Sequence, residues 1–330
     1  MNAVRMPHRI AFSFLISALL AVVAALLEVP PVSGQDQNAS EIVVNLAAGR
    51  VDVCVAKGAM FVATTDEKVE PGSHPPEMMP LGPGRIGVLL GAVEWIRPGT
   101  GNPTVRLDAE LERAVHELGP MDSGGDAGRQ ATDIETIGIA LLEQIRSVAT
   151  NFHHKIDLDP EEPLVELVLA DYQDDYGFEV WALQYRIEQE LLGNGYYQTR
   201  VLRPAYVQLY PPEKGQPRTL MEVRYPPEIQ GPSLLELLKQ DDPRLQKVRA
   251  SSTQIFEATG HLLEGESPKA HPDDVGAFLQ AAVPAVHAPD TRMAIAELTE
   301  LKEFVWLVQP TEPRPANAPA DSDAPSLYKH

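Results

Sequence analysis

Hydrophobic positions in this chain fall into blocks with two different periods. VDVCVA (51–56) and AMFVATTDEKV (59–69) mix Val, Phe, Cys and Thr with small residues, and Lys57-Gly58 sits between them where a tight turn belongs. That pattern predicts a β-hairpin. GRIGVLLGAVEW (84–95) predicts a third strand ending in a small-residue corner, and EIVVNL (41–46) a short strand ahead of the hairpin. Pro- and Gly-rich stretches at 70–83 and 97–104 read as loops.

The period then changes. Leu107, Leu111, Ala114, Val115 and Leu118 recur at helical spacing, with Asp108 in the first turn. After a flexible break at 119–128, Ile134, Ile137, Leu141, Leu142, Ile145 and Val148 make one apolar stripe, and Thr132 with Glu135 suggests a capping box. LVELVLA (164–170) and FEVWALQYRI (178–187) predict two strands joined by the acidic turn DYQDDYG. Further strands are expected within 197–210 and 219–225, between Pro-rich turns. Asp242-Pro243 opens a helix by the rule that places Pro at the first helical position, and its stripe runs from Leu245 to Leu263. Another helix starts at Pro272 with Pro284 expected to kink it, and EFVWLV (303–308) closes the chain as a strand. The last 20 residues are Pro-rich and read as a disordered tail.

The order of elements is strands, two helices, strands, two helices, strand. Helices with one apolar stripe and strands that are apolar almost throughout are both buried if two sheets lie between helical layers. In order and spacing, the hairpin with its Gly turn, the apolar strand ending in a Gly corner and the second hairpin with its acidic turn resemble a proteasome β-subunit. The resemblance spans 42–309 and rests on element order rather than on one diagnostic motif. It implies an α+β fold, a four-layer αββα sandwich of the N-terminal-nucleophile (Ntn) hydrolase type. Residues 196–230 would be a β insertion and 310–330 the disordered tail.

Hydrolases of that family cut an amide with the first residue of the mature chain, whose own α-amine takes the proton. With Gly58 as the hairpin turn, the nucleophile position falls at Ala47, Ala48 or Gly49. Thr64 stands where the family has Asp, with Asp66 two residues further, and the family's Lys position falls near Glu77. All three departures point to a non-catalytic member. A second register makes 41–46 the first strand and leaves Ser40 at the head of the sheet. Ser40 is then the one candidate catalytic residue, provided that processing between Ala39 and Ser40 exposes it.

Other constellations are weak. His153-His154 with Asp157 and Asp159 is too local to favour a metal over a solvated loop. Asp171, Asp174 and Asp175 lack the spacing of a Ca²⁺ loop. Cys54, the single cysteine, reads as a small buried hydrophobe. Tyrosines crowd between 172 and 225, as strand propensity or a binding surface would each require. No cofactor and no metal is expected.

Arg5, His8 and Arg9 precede an apolar run from Ile10 to Leu27, then Pro30-Pro31 and Val32-Ser33-Gly34. Residues 1–34 are read as a signal peptide cut before Gln35, followed by a flexible start at 35–41. The protein is therefore expected to be exported, secreted or periplasmic, with an uncleaved anchor as the alternative. The chain carries 27 Lys and Arg against 47 Asp and Glu, a net charge of −20. Such a balance argues against nucleic acid and against an anionic membrane surface as partners. Three functional readings stay open. The first is a non-catalytic binding or assembly module for an unknown protein or peptide, homo-oligomeric by family analogy. The second is a self-processed amidohydrolase or peptidase using Ser40, and the third an unrelated exported α+β protein.

Overall fold

The computed structural model describes residues 43–66, 74–96, 105–118, 127–156, 158, 161–212, 220–229 and 231–310. Residues 1–34, read from the sequence as a signal peptide, lie outside the described residues, as do Ser40 and most of the Pro-rich tail. In chain order the first strands are β1 (Val43–Ala47), β2 (Gly49–Ala56), β3 (Ala59–Thr65), β4 (Glu77–Pro80), β5 (Arg85–Ile96) and β6 (Val105–Arg106). Helices α1 (Leu107–Leu118) and α2 (Ala127–Ala149) follow. Next come β7 (Val165–Gln173), β8 (Gly177–Tyr185), β9 (Ile187–Leu191), β10 (Tyr197–Val201), β11 (Ala205–Tyr210) and β12 (Met221–Tyr225). The chain then forms α3 (Leu234–Lys239), α4 (Pro243–Arg249), α5 (Thr253–Leu263) and α6 (Pro272–Val286), and ends on β13 (Met293–Thr299) and β14 (Phe304–Val308).

The fold is mixed α+β with antiparallel sheets. One sheet has the order β1-β5-β7-β8-β11, with β4 and β6 added on β5, and the other has the order β12-β2-β3-β13-β14. β2 and β3 are buried along their whole length, which is why their sequences barely alternate. Val51, Val53, Val55, Met60 and Val62 share a core cluster with Ile86, Val88, Leu90, Val168, Ala170 and Val180 of the other sheet. The alternate residues Cys54, Ala56, Phe61 and Ala63 pack with Leu234, Leu245, Leu262, Phe278 and Leu279 of the C-terminal helices. On the first sheet, Leu89, Leu167, Leu169 and Leu183 pack instead with Leu107, Leu111, Ile137, Leu141 and Ile145 of α1 and α2.

Several elements differ from the sequence expectation, each for a local reason. α2 already begins at Ala127, so Thr132 lies inside the helix rather than at its cap. The single helix expected after Asp242 is broken in two. Asp242 caps α4 through the Arg244 N–H, and Ser252 caps α5 by accepting from the Ile255 N–H. Ser233 and Glu236 form a capping box that starts the short α3. α6 runs on to Val286 with Pro284 inside it. The segment 187–201 forms a separate hairpin, β9–β10, while β11 joins β8 and β12 joins β2.

β4 and β13 are absent from the sequence expectation: β4 falls within the stretch 70–83 read as a loop, and no element is expected at β13. The β13 sequence, MAIAELT, is built from good helix formers, yet it pairs with β3 along its full length and with β14 on its other side. Burial between two strands overrides local preference there.

Candidate functional site

The resemblance directs attention to the head of β2. The chain passes directly from β1 in one sheet to β2 in the other, with only Ala48 between them. Ala47 pairs with Gly91 of β5 and bridges to His74. The Ala48 N–H donates to the His74 carbonyl at 3.0 Å, and the His74 N–H to the Leu46 carbonyl at 2.9 Å. Ala47 and Ala48 are both buried.

Gly49 has φ +152°, and a Cβ placed there would lie 2.0 Å from the Thr65 carbonyl oxygen and 2.9 Å from Pro76 Cδ. The strand head therefore accepts no side chain at this position. Opposite it, Gly91 (φ +87°) marks the corner of β5, where a Cβ would sit 2.3 Å from the Leu164 carbonyl oxygen. That corner is where β5 changes neighbours: residues 85–91 pair with β7, and residues 91–96 with β1.

The residues at the family's other positions are scattered in role. Thr64 is buried in register between Val51 and Ala294. Asp66 is held by Arg292, whose Nε lies 2.6 Å from Oδ2 and whose N–H donates to Oδ1 at 2.6 Å. Glu77 begins β4 and lies 3.6 Å from Arg106 Nη2.

Around Glu77 the structure does assemble a polar group, centred on Glu94 of β5 between its partner strands β1 and β6. Asn45 of β1 and Glu94 of β5 are register partners, and the Asn45 amide donates to Glu94 Oε2 at 2.6 Å. His74 Nε2 lies 3.3 Å from the same oxygen. Arg106, the register partner of Glu94 on β6, is 2.6 Å from Asp108. Burial pushes the Glu77 carboxyl above its ordinary range, and Asp108 and Glu94 add to the shift while Arg106 and His74 oppose it. A carboxyl with a raised pKa beside a His–carboxylate pair is a proton-handling arrangement. Each of its carboxylates is nonetheless engaged by a cation or an amide of this same group.

Sequence reasoning missed this group because its members come from separate short stretches, joined by the pairing of β1, β4 and β6 with β5 and by the bridge between Ala47 and His74. It also missed a small cavity of about 70 Å³ on the opposite face of β2, lined by Arg50, Asp52, Arg244 and His287 together with apolar residues of α3 and α6. The alternating charges Arg50 and Asp52 on an otherwise apolar strand were the available signal.

The remaining candidates separate. Cys54 is fully buried, and burial together with Asp52 pushes its thiol up to about 12. Asp171 is buried against Arg85 at 3.1 Å, whereas Asp174 is exposed and pairs with Lys302 at 2.8 Å, so the acidic turn is not one cation site. His153 meets Tyr196 edge-on and His154 meets Phe152 edge-on, while Asp157 and Asp159 lie outside the described residues. Tyr185, Tyr210 and Tyr225 are buried, and Tyr176, Tyr196 and Tyr206 are exposed.

No protein-family model matches this chain, and no curated protein is similar to it. Among the described residues, no helix is long and apolar enough to cross a membrane.

Proposed function

We propose that the chain is an exported, proteasome-like αββα protein that has lost amino-terminal-nucleophile chemistry and serves as a binding or assembly module. The observation that carries this reading is the strand head. Gly49 has no room for a nucleophilic side chain, and the Ala48 N–H is a backbone amide already engaged with His74. Three separate core clusters support the layered arrangement: helices against a sheet, sheet against sheet, and sheet against helices.

The deciding experiment is the intact mass and amino-terminal sequence of the protein recovered from its exported compartment, with turnover of amide substrates assayed on the same material. A start at or near Gln35 and no turnover agree with the proposal. A start at Ser40, with hydrolysis abolished by Ser40→Ala, would replace it with a self-processed amidohydrolase. Sedimentation then tests assembly, because a strict monomer would remove the homo-oligomeric part of the reading.

A further inference from the structure

At the C-terminal end of α5 the chain turns back on itself. The Glu264 N–H donates to the Gly260 carbonyl and the Glu266 N–H to the His261 carbonyl at 2.8 Å. The turn gathers His261, Glu264 and Glu266, so that one ring nitrogen and one oxygen from each carboxylate lie within 4.8 Å of one another. Ligands sharing one first-row cation at about 2.0–2.2 Å stand about 3–4 Å apart, so small side-chain rotations close the group on an ion.

A second observation is independent of that spacing. The His261 side chain is half-buried, and its Nδ1, the part shielded from solvent, has no hydrogen-bond partner among the described residues. A buried ring nitrogen left without a partner is costly, and bonding to a cation or to a water on that cation removes the cost. The rest of the ligand set stays accessible, because Glu264 is exposed.

The geometry points to a divalent transition-metal site at His261, Glu264 and Glu266, of the zinc type. One imidazole nitrogen with two carboxylates leaves coordination positions for water, as in open zinc sites. Imidazole selects against Mg²⁺ and Ca²⁺, which prefer all-oxygen shells. Glu266 contacts Lys269 at 2.7 Å, and that exposed pair must open for the ion to enter. Exposed ion pairs contribute little to stability, so opening this one costs little. The overall charge of −20 raises the local concentration of cations as well.

The site is remote from the strand head. Lys57, at the far end of β2, donates its N–H to the Ala270 carbonyl, which places the turn after α5 beside the Lys57-Gly58 end of the hairpin. Ion binding there therefore succeeds or fails independently of the functional reading above.

The test is calorimetric titration of the chelator-treated full chain with Zn²⁺, and separately with Ca²⁺. One saturable Zn²⁺ site is expected, weakened tenfold or more by His261→Gln and by Glu264→Gln, with no comparable Ca²⁺ binding. The thermal midpoint of the parent protein should rise with Zn²⁺ and that of Glu264→Gln should not. Glu264 is exposed, so its variant decides the matter even if His261→Gln does not fold. Absence of saturable Zn²⁺ binding overturns the proposal. So does binding that survives both substitutions or is lost in His153→Gln, because the ion would then sit elsewhere.

Discussion

Two residues of β2, Cys54 and Gly49, report how tightly this strand is enclosed. Cys54 is the only cysteine and its thiol is pushed up to about 12 by burial, so at neutral pH it is protonated and enclosed. Thiol reactivity follows the thiolate. The folded protein should not react with a thiol reagent at about pH 8, whereas the denatured chain should take up one equivalent; rapid labelling of the folded protein would show that β2 opens. Gly49 gives the complementary case. Ala in its place must adopt an unfavourable backbone and overlap the Thr65 carbonyl, so Gly49→Ala should destabilise by about 2–3 kcal/mol or more in chemical denaturation. Gly193→Ala is the control, because nothing lies within 4 Å of a Cβ there. A near-neutral Gly49→Ala would mean that the strand head is slack, with room for a side chain after all.

At the scale of elements, sheet register decides which charges can be buried. Arg85 and Asp171 are partners across β5 and β7, 3.1 Å apart and nearly inaccessible, and Gln173 donates to the same carboxylate at 2.6 Å. Burial raises the Asp171 pKa and Arg85 pulls it down. Arg85→Ala should cost about 3–5 kcal/mol at neutral pH, because it strands a buried carboxylate. Without Arg85 the folded-state pKa rises further, so stability is lost as pH rises through it and regained as pH falls. The deficit of Arg85→Ala should therefore shrink towards pH 4–5 in denaturation experiments and vanish largely in the double variant with Asp171→Asn. A deficit independent of pH would assign the loss to packing of the Arg85 stem instead.

The same scale explains what could be read from the sequence. β2, β3, β5 and β7 are legible because burial on both faces makes them nearly continuous apolar runs between turn signals, and β8 because aromatic and β-branched residues follow the acidic turn. The stripes of α1 and α2 are legible because one face is apolar. β13 is not, since MAIAELT carries a helical preference that only pairing with β3 overrides. The break between α4 and α5 is hidden because the apolar stripe continues through it, and only the Ser252 cap reveals it. Sites fared worse than elements. His74, Glu77, Glu94 and Arg106 meet through strand pairing that no sequence spacing announces. His261-x-x-Glu264-x-Glu266 spans a helix end, where helical spacing no longer predicts which side chains converge.

The whole molecule carries its acidity unevenly, and this fixes how its stability follows pH. Glu77, Glu112, Glu166, Asp171 and Glu297 all have carboxyls pushed above their ordinary range, with burial the largest cause in each. Groups of this kind hold protons in the folded state at pH values where the unfolded chain has released them. Their contribution is present below the unfolded value, about 4 for carboxylates, and is lost as pH rises through the raised values. Glu236 is exposed, Asp242 and Glu266 are half-buried, and all three are lowered: Glu236 by the Ser233 N–H, Asp242 to about 2 by the Arg244 side chain and N–H, and Glu266 by Lys269. Their contribution has the opposite sign and is lost only as pH falls below the ordinary carboxylate range. Between about pH 4 and 7 the raised groups lose their stabilising contribution, and the growing net negative charge acts in the same direction. The denaturation midpoint should accordingly be lower at about pH 7.5 than at about pH 5.5. High salt screens the exposed charges but leaves the buried carboxylates unscreened, so part of the difference should persist there. If salt abolishes it, surface repulsion alone is responsible; a midpoint that climbs with pH over this window would mean that the buried carboxylates are stabilised as anions by their Arg and amide partners.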